Sequence, residues 1–150
     1  MAELSHIDDE GRAAMVNVSA KPAQWREAVA SGHIELQQET ISLIQQSQIT
    51  KGDVLATARL AGIMAAKKTA DLIPLCHPLA LTHVAVDFEW LDEPPALHIR
   101  GTARTQGPTG VEMEALTAVS IAALTIYDMC KAVDKQMRIT EVQLLSKTKQ

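Results

Sequence analysis

Thr82-His83-Val84-Ala85-Val86-Asp87-Phe88-Glu89-Trp90 sets Thr, Val, Val, Phe and Trp against His, Ala, Asp and Glu in strict alternation. A period of two is that of a half-buried strand with one apolar face. Asp92-Glu93-Pro94-Pro95 turns the chain. Leu97, Ile99 and Ala103 then alternate with His98, Arg100, Thr102 and Arg104, forming the returning arm of a hairpin.

Helical patterns flank this hairpin on both sides. Upstream, Ile41, Leu43 and Ile44 give Glu39–Ser47 a helical spacing, which the polar run Gln48-Ile49-Thr50-Lys51-Gly52 ends. Asp53 is placed to cap a second helix over Val54–Ala66, and Lys67 and Lys68 complement the dipole at its far end. Pro74 and Pro78 bracket Leu75-Cys76-His77 and keep that segment extended or looped, since neither proline supplies an N–H. Downstream, Thr109-Gly110-Val111-Glu112 has capping-box spacing and opens an Ala-rich apolar run to Val133, the longest helix.

The outermost segments read as strands. From Arg26 to Leu36 the even positions are Arg26, Ala28, Ala30, Gly32, Ile34 and Leu36, while the odd ones mix in Glu27, Ser31, His33 and Glu35. This favours a strand, with a short Pro22–Ala30 helix as the alternative. At the other end Met137–Leu145 changes apolar phase between Ile139 and Val142, as a bulged strand does. The order strand, helices, strand, strand, helix, strand predicts an α+β, ferredoxin-like fold, a four-stranded antiparallel sheet with its helices on one face. With Trp90 and valines on the hairpin, the sheet's open face is expected to be covered by another subunit.

A chain of 150 residues with 47% apolar content supports one domain over 1–150, with residues 1–15 and the last few from Lys147 reading as tails. Its net charge of −4 argues against a nucleic-acid surface, and aromatics at 3% leave no stacking platform for single strands. No run approaches the ~18 uninterrupted apolar residues of a membrane span. Met1-Ala2-Glu3-Leu4-Ser5-His6 lacks a secretion-signal layout, so a cytoplasmic protein is expected. Cys76 and Cys130 are far apart and show no paired-ligand spacing, which favours reduced thiols.

Several polar residues are candidates for chemistry, each with a plainer alternative. Lys51 precedes a helix entrance that favours phosphate, although a lysine beside an N-cap is ordinarily a solvated charge. Cys76-His77 is a single dipeptide and not the spaced ligand pairs a structural zinc site requires, so no metal is expected there. His77 can instead serve as a donor or acid toward a substrate, or be a histidine satisfied within a loop. Glu112 has a structural explanation as the reciprocal member of the capping box; Glu114 has only the general preference for acids in a first turn.

Asp128 and Lys131 are three apart on one helix and therefore neighbours, either as an ordinary ion pair or, in a cleft, as proton-exchange partners. Glu114 and Asp128 are fourteen positions apart on that helix, close to four turns and about 21 Å along its axis. One small ligand can hardly bridge that distance. If both residues serve one reaction, a second copy of the helix packed antiparallel must complete the site.

Met15-Val16-Asn17-Val18-Ser19-Ala20-Lys21, Lys51-Gly52-Asp53-Val54, Asp71–Leu79, Thr109–Ala118 and Ala123–Ala132 together resemble the MoaC family of molybdenum cofactor biosynthesis, over about Leu4 to Lys147. The resemblance implies conversion of 3′,8-cyclo-7,8-dihydroguanosine 5′-triphosphate to cyclic pyranopterin monophosphate with release of pyrophosphate. It also implies a hexamer, a trimer of dimers with sites at the dimer interface, and no cofactor beyond magnesium that accompanies the triphosphate.

By motif match, Lys51 and Lys131 are implied as the acid/base lysines, with Asp128 tuning Lys131. Leu75, Cys76, His77, Met113, Glu114 and Glu112 are implied as substrate contacts, and Lys21, Arg26 and Lys147 as the cations that neutralise the triphosphate. Two departures stand out. Asn17 replaces the family's usual Asp, and the chain stops at Lys147-Thr148-Lys149-Gln150, where relatives often continue into a Gly-rich basic tail. The alternative to an enzyme is a non-catalytic ferredoxin-like module that holds a nucleotide unchanged.

Overall fold

The computed structural model describes residues 4–150. In chain order the elements are β1 (Gln24–Glu35), α1 (Gln38–Gln45), α2 (Val54–Lys67), α3 (Thr69–Leu72), β2 (Leu81–Leu91), β3 (Ala96–Gly107), α4 (Glu112–Cys130) and β4 (Arg138–Lys149). The sheet order is β2-β3-β1-β4, and every neighbouring pair is antiparallel. The fold is therefore α+β, and its order is compatible with the ferredoxin-like plan. Of the two readings of the first segment, the strand is the one formed. The one-turn α3 was not foreseen.

The expected hairpin is β2 and β3, paired from Leu91↔Ala96 at the turn to Leu81↔Thr105. Val84, Val86, Phe88 and Trp90 of β2 pack with Leu97, Ile99 and Ala103 of β3 and Ala28, Ala30 and Ile34 of β1 against the helices. This corrects the reason given for covering the open face. Trp90 and the valines are spent on the helix side, and the other face carries cross-strand polar pairs, among them Arg104 with Glu27 and His33 with His98.

Small residues set how close α4 sits to the sheet. Ala115, Ala118, Val119, Ala122 and Ala123 are fully buried, and a Cβ on Gly101 of β3 would lie 2.9 Å from the Ala115 carbonyl oxygen. Any larger residue at Gly101 would push the helix off the strand. With 19 residues and a mean hydropathy of 1.3, α4 is long and apolar enough to cross a membrane. Its apolar length is instead packed between α2 and the sheet.

Two other expectations are corrected. Residues 148–149, read as tail, belong to β4, where Arg26↔Lys149 pairing and a Gln150 N–H bond to the Trp25 carbonyl continue the sheet. Backbone hydrogen bonding to β1 holds these residues despite their polar side chains. The bulge expected in this strand is present, with Glu141 at φ 55° and register shifts on either side of Ala30 and Ser31 of β1. The N-terminal stretch, also read as tail, folds from His6 to Ala14 into a small turn with an Ile7↔Ala13 bridge. Met1 to Glu3 lie outside the described residues.

Candidate functional site

The C-terminal end of α4 carries a compact charge cluster. Asp128 Oδ2 accepts from Lys51 Nζ at 2.9 Å and Asp128 Oδ1 from Lys131 Nζ at 2.9 Å. Lys51 also donates to the Asp128 carbonyl at 3.1 Å. Helix spacing supplies Lys131. Lys51 arrives from the α1–α2 turn, where Gly52 adopts φ 115° and Asp53 caps α2 by accepting from the Ala56 N–H. The hydrogen bonds from Lys51 and then Lys131 hold the Asp128 carboxyl below the usual carboxylate range. All three side chains are about half exposed, so two ammonium groups on one carboxylate stand open to a ligand.

Asp134, which no functional reading used, fixes the loop behind this cluster. It is 2% exposed and accepts from the Gln37 N–H, the Thr40 hydroxyl and the Gln136 N–H. Burial pushes its carboxyl up, but these three donors outweigh burial and hold it low. α1 is thereby tied to the segment following Lys131.

The N-terminal end of α4 is different. Leu75, Cys76, His77, Glu112, Met113 and Glu114 line one cleft of about 160 Å³. Glu114 is 4% exposed, and burial, with Glu112 close by, raises its carboxyl to about 7. Burial and the nearby Glu114 likewise push the Cys76 thiol up, away from a thiolate. The Pro74–Pro78 arm holds His77 as expected, without helix or strand. His77 Nε2 donates to the Val16 carbonyl; because a carbonyl only accepts, the neutral ring keeps Nδ1 free as an acceptor.

Glu112 is not a capping-box member. The helix N-cap is Val111, without a side-chain cap bond, so Glu112 occupies the first helical position and cannot reach back from the third. Its carboxylate instead accepts from Lys147 Nζ at 3.0 Å, a charge-assisted bond stronger than a cap bond to a neutral N–H. Burial raises its carboxyl, but its own N–H, Lys147 and Arg26 together hold it low.

Arg26, Glu112 and Lys147 line a second cavity, and Arg26 is braced there by bonds to the carbonyls of Gly107 and Pro108. Lys21 lies in a third cavity with Asn17, Val16 and His77. In the same segment the Asn17 carboxamide oxygen accepts from the Ser19 N–H at 2.9 Å, a bond an aspartate would make equally well.

All the sequence-predicted contact residues and triphosphate cations therefore line cavities that share wall residues. Glu112 joins the cleft to the Arg26–Lys147 cavity, and His77 joins it to the Lys21 cavity. Lys51, Asp128 and Lys131 line none of these cavities and lie at the opposite end of α4. Among the described residues no group of three or more His, Cys, Asp or Glu side chains is arranged to hold a metal ion. Leu79, Thr109 and Gly110 of the quoted motifs also line the cleft without an assigned role, and His6 was missed altogether, because it sits in the stretch read as a tail and no spacing links it to His77 or Glu114.

The sequence model of the MoaC family matches residues 15–150. A cyclic pyranopterin monophosphate synthase of Roseiflexus sp. (strain RS-1) is 57% identical, over 99% of this chain and 94% of the relative. A protein of the same name from Desulfitobacterium hafniense (strain DSM 10664 / DCB-2) is 58% identical over 97% of this chain and 89% of its own. Another, from Chloroflexus aurantiacus (strain ATCC 29366 / DSM 635 / J-10-fl), is 60% identical over the same shares.

Proposed function

Since this chain belongs to the MoaC family, we propose that it is an enzyme performing the reaction its relatives are named for, cyclic pyranopterin monophosphate synthesis. It acts as a cytoplasmic lyase in molybdenum cofactor biosynthesis, taking 3′,8-cyclo-7,8-dihydroguanosine 5′-triphosphate to the cyclic monophosphate and pyrophosphate. The observation that carries this reading is the division of charge along α4. A cleft with a buried carboxyl adjoins a cation-lined cavity at one end, and two lysines share an exposed carboxylate at the other.

The cleft holds the ring system between His77 and Glu114, and the triphosphate lies toward Arg26 and Lys147, with Lys21 reached past His77. Cations at the phosphates stabilise charge as a ribose-derived hydroxyl bonds to the α-phosphorus and the bond to the pyrophosphate oxygen breaks. Lys51 and Lys131 supply and remove protons while the purine-derived ring opens and recloses as a pterin, and Asp128 orients them. No protein cofactor takes part; magnesium enters only with the triphosphate.

Glu114 and Asp128 of one α4 are about 21 Å apart along its axis, so the complete site takes its lysines from a neighbouring copy. The chain assembles as a homohexamer, a trimer of dimers, with residues 1–150 acting as one unit. β4 supports assembly: it is an edge strand with Val142, Leu144 and Leu145 partly exposed, the kind of edge that pairs with another chain.

Incubation of the purified protein with the cyclised nucleotide yields pyrophosphate and pterin in equal amounts. Lys51→Ala keeps its fold and slows turnover by about 10²–10⁴-fold, and a wild-type rate in that variant would remove Lys51 from the chemistry. Mixed hexamers of Glu114→Ala and Asp128→Ala subunits recover part of the activity; no recovery in confirmed hybrids would refute shared sites. Unchanged nucleotide from the wild-type protein would leave the non-catalytic nucleotide-binding module.

A further inference from the structure

The N-terminal turn sits beside the cleft in a defined geometry. The Ala14 N–H bonds to the His6 carbonyl at 2.9 Å and the Asp8 N–H to the Arg12 carbonyl at 2.9 Å, closing a miniature hairpin from His6 to Ala14. Asp8 pins it from within. Its Oδ1 accepts from the Glu10 and Arg12 N–H groups, and its Oδ2 from Arg12 Nε at 2.9 Å. Those bonds, first the one from the Arg12 backbone, hold the Asp8 carboxyl low against what burial it has. A few residues on, the Val16 carbonyl receives the His77 Nε2 hydrogen. The segment is thus tethered at one end by its own turn and at the other by a residue of the cleft.

This geometry places His6 among the residues lining the cleft, with Cys76, His77, Glu112, Met113 and Glu114. The family match begins at residue 15 and does not include it. His6 is exposed and makes no part of the core. The cleft otherwise offers two carboxyl groups, a thiol, the Thr109 hydroxyl and one imidazole, and an imidazole at its mouth adds a second ring that can donate or accept a hydrogen bond.

We propose that His6 is a further substrate-contacting residue, carried over the cleft by the Asp8-pinned hairpin, and that it hydrogen-bonds the ring system of the bound nucleotide. The proposal rests on the synthase reading. His6 fixes the position of the ring and does not move protons in the slow step. It therefore contributes to binding, equally in the ground and transition states, and its loss appears in KM.

The test is steady-state turnover of the cyclised dihydroguanosine triphosphate by the full-length protein and its variants. Active wild type establishes the assay, and inactive wild type would overturn the synthase reading itself. His6→Ala raises KM about fivefold, the loss of one neutral hydrogen bond, and leaves kcat within about twofold. His6→Gln keeps a donor and an acceptor and recovers part of the KM. Asp8→Ala, which loosens the hairpin without touching the cleft, moves KM the same way by a smaller factor. A wild-type KM in His6→Ala, or a fall in kcat with KM unchanged, would overturn the proposal. So would a glutamine variant no better than alanine. His6 lies outside the core, so thermal melting of both His6 variants stays at the wild-type midpoint.

Discussion

The two ends of α4 carry the same functional group in opposite states. Glu114, in the first turn, is 4% exposed, lines a cleft with Leu75, Cys76 and His77, meets no cation at hydrogen-bond range among the described residues, and has its carboxyl raised to about 7. Asp128, near the last turn, is exposed, bonded to two ammonium groups, and held below its ordinary value of 3.8. The helix dipole would favour a charged carboxylate at the first end and disfavour one at the second. Both residues go the other way. Burial and direct partners outweigh a partial charge that falls off within a turn.

The largest effect that sharpens this contrast is catalytic. Lys131→Ala, at the exposed end, leaves folding intact because the side chain is 58% exposed, and pyrophosphate release slows by about 10²–10⁴-fold. Near-normal release would move the chemistry away from the lysine–aspartate cluster and onto the buried end.

Glu114 sets the next effect, on stability. Its folded value of about 7 lies above the ordinary 4.5, so between those two pH values the folded protein binds more protons than the unfolded chain. Stability from this group is therefore fully present below about 4.5 and is lost as pH rises through about 7. Glu114→Gln has no proton to lose. Urea melts at about pH 5 and about pH 8 should show the variant gaining on wild type, by at most about 3 kcal/mol, as pH rises. Parallel profiles would mean that Glu114 is not desolvated.

Asp128 gives the smallest effect. Its lowered value means any stability it contributes is present above 3.8 and lost as pH falls through the folded value. Because exposed ion pairs are screened, Asp128→Asn melts with wild type at neutral pH while its turnover falls. A large loss of stability in Asp128→Asn would show that its two lysine contacts hold the α4 end in place, and the contrast between the ends would no longer be one of cover.

Much of the fold was legible in the residues. Alternation through Thr82–Trp90 gave β2, Asp53 gave the cap of α2, and the phase slip after Ile139 gave the bulge at Glu141. Asp128 and Lys131 were neighbours by helix spacing alone. Less legible were features set by distant partners. Glu112 looked like a cap residue until Lys147, brought over by β4, took its carboxylate. Residues 148–149 looked like tail because their side chains are polar, although their backbone completes the sheet beside Arg26. His6 was missed for the same reason, since nothing nearby in sequence points to the cleft it reaches.

The sequence by itself determined the periods, caps, turns and small-residue helix of this protein, because backbone geometry converts spacing along the chain directly into faces. Only the tertiary structure decided which carboxyl is covered, which shares its charge with two lysines, and which cations line a cavity. Burial and electrostatics sum over whatever lies within a few ångströms, and most of those neighbours are far away in the chain.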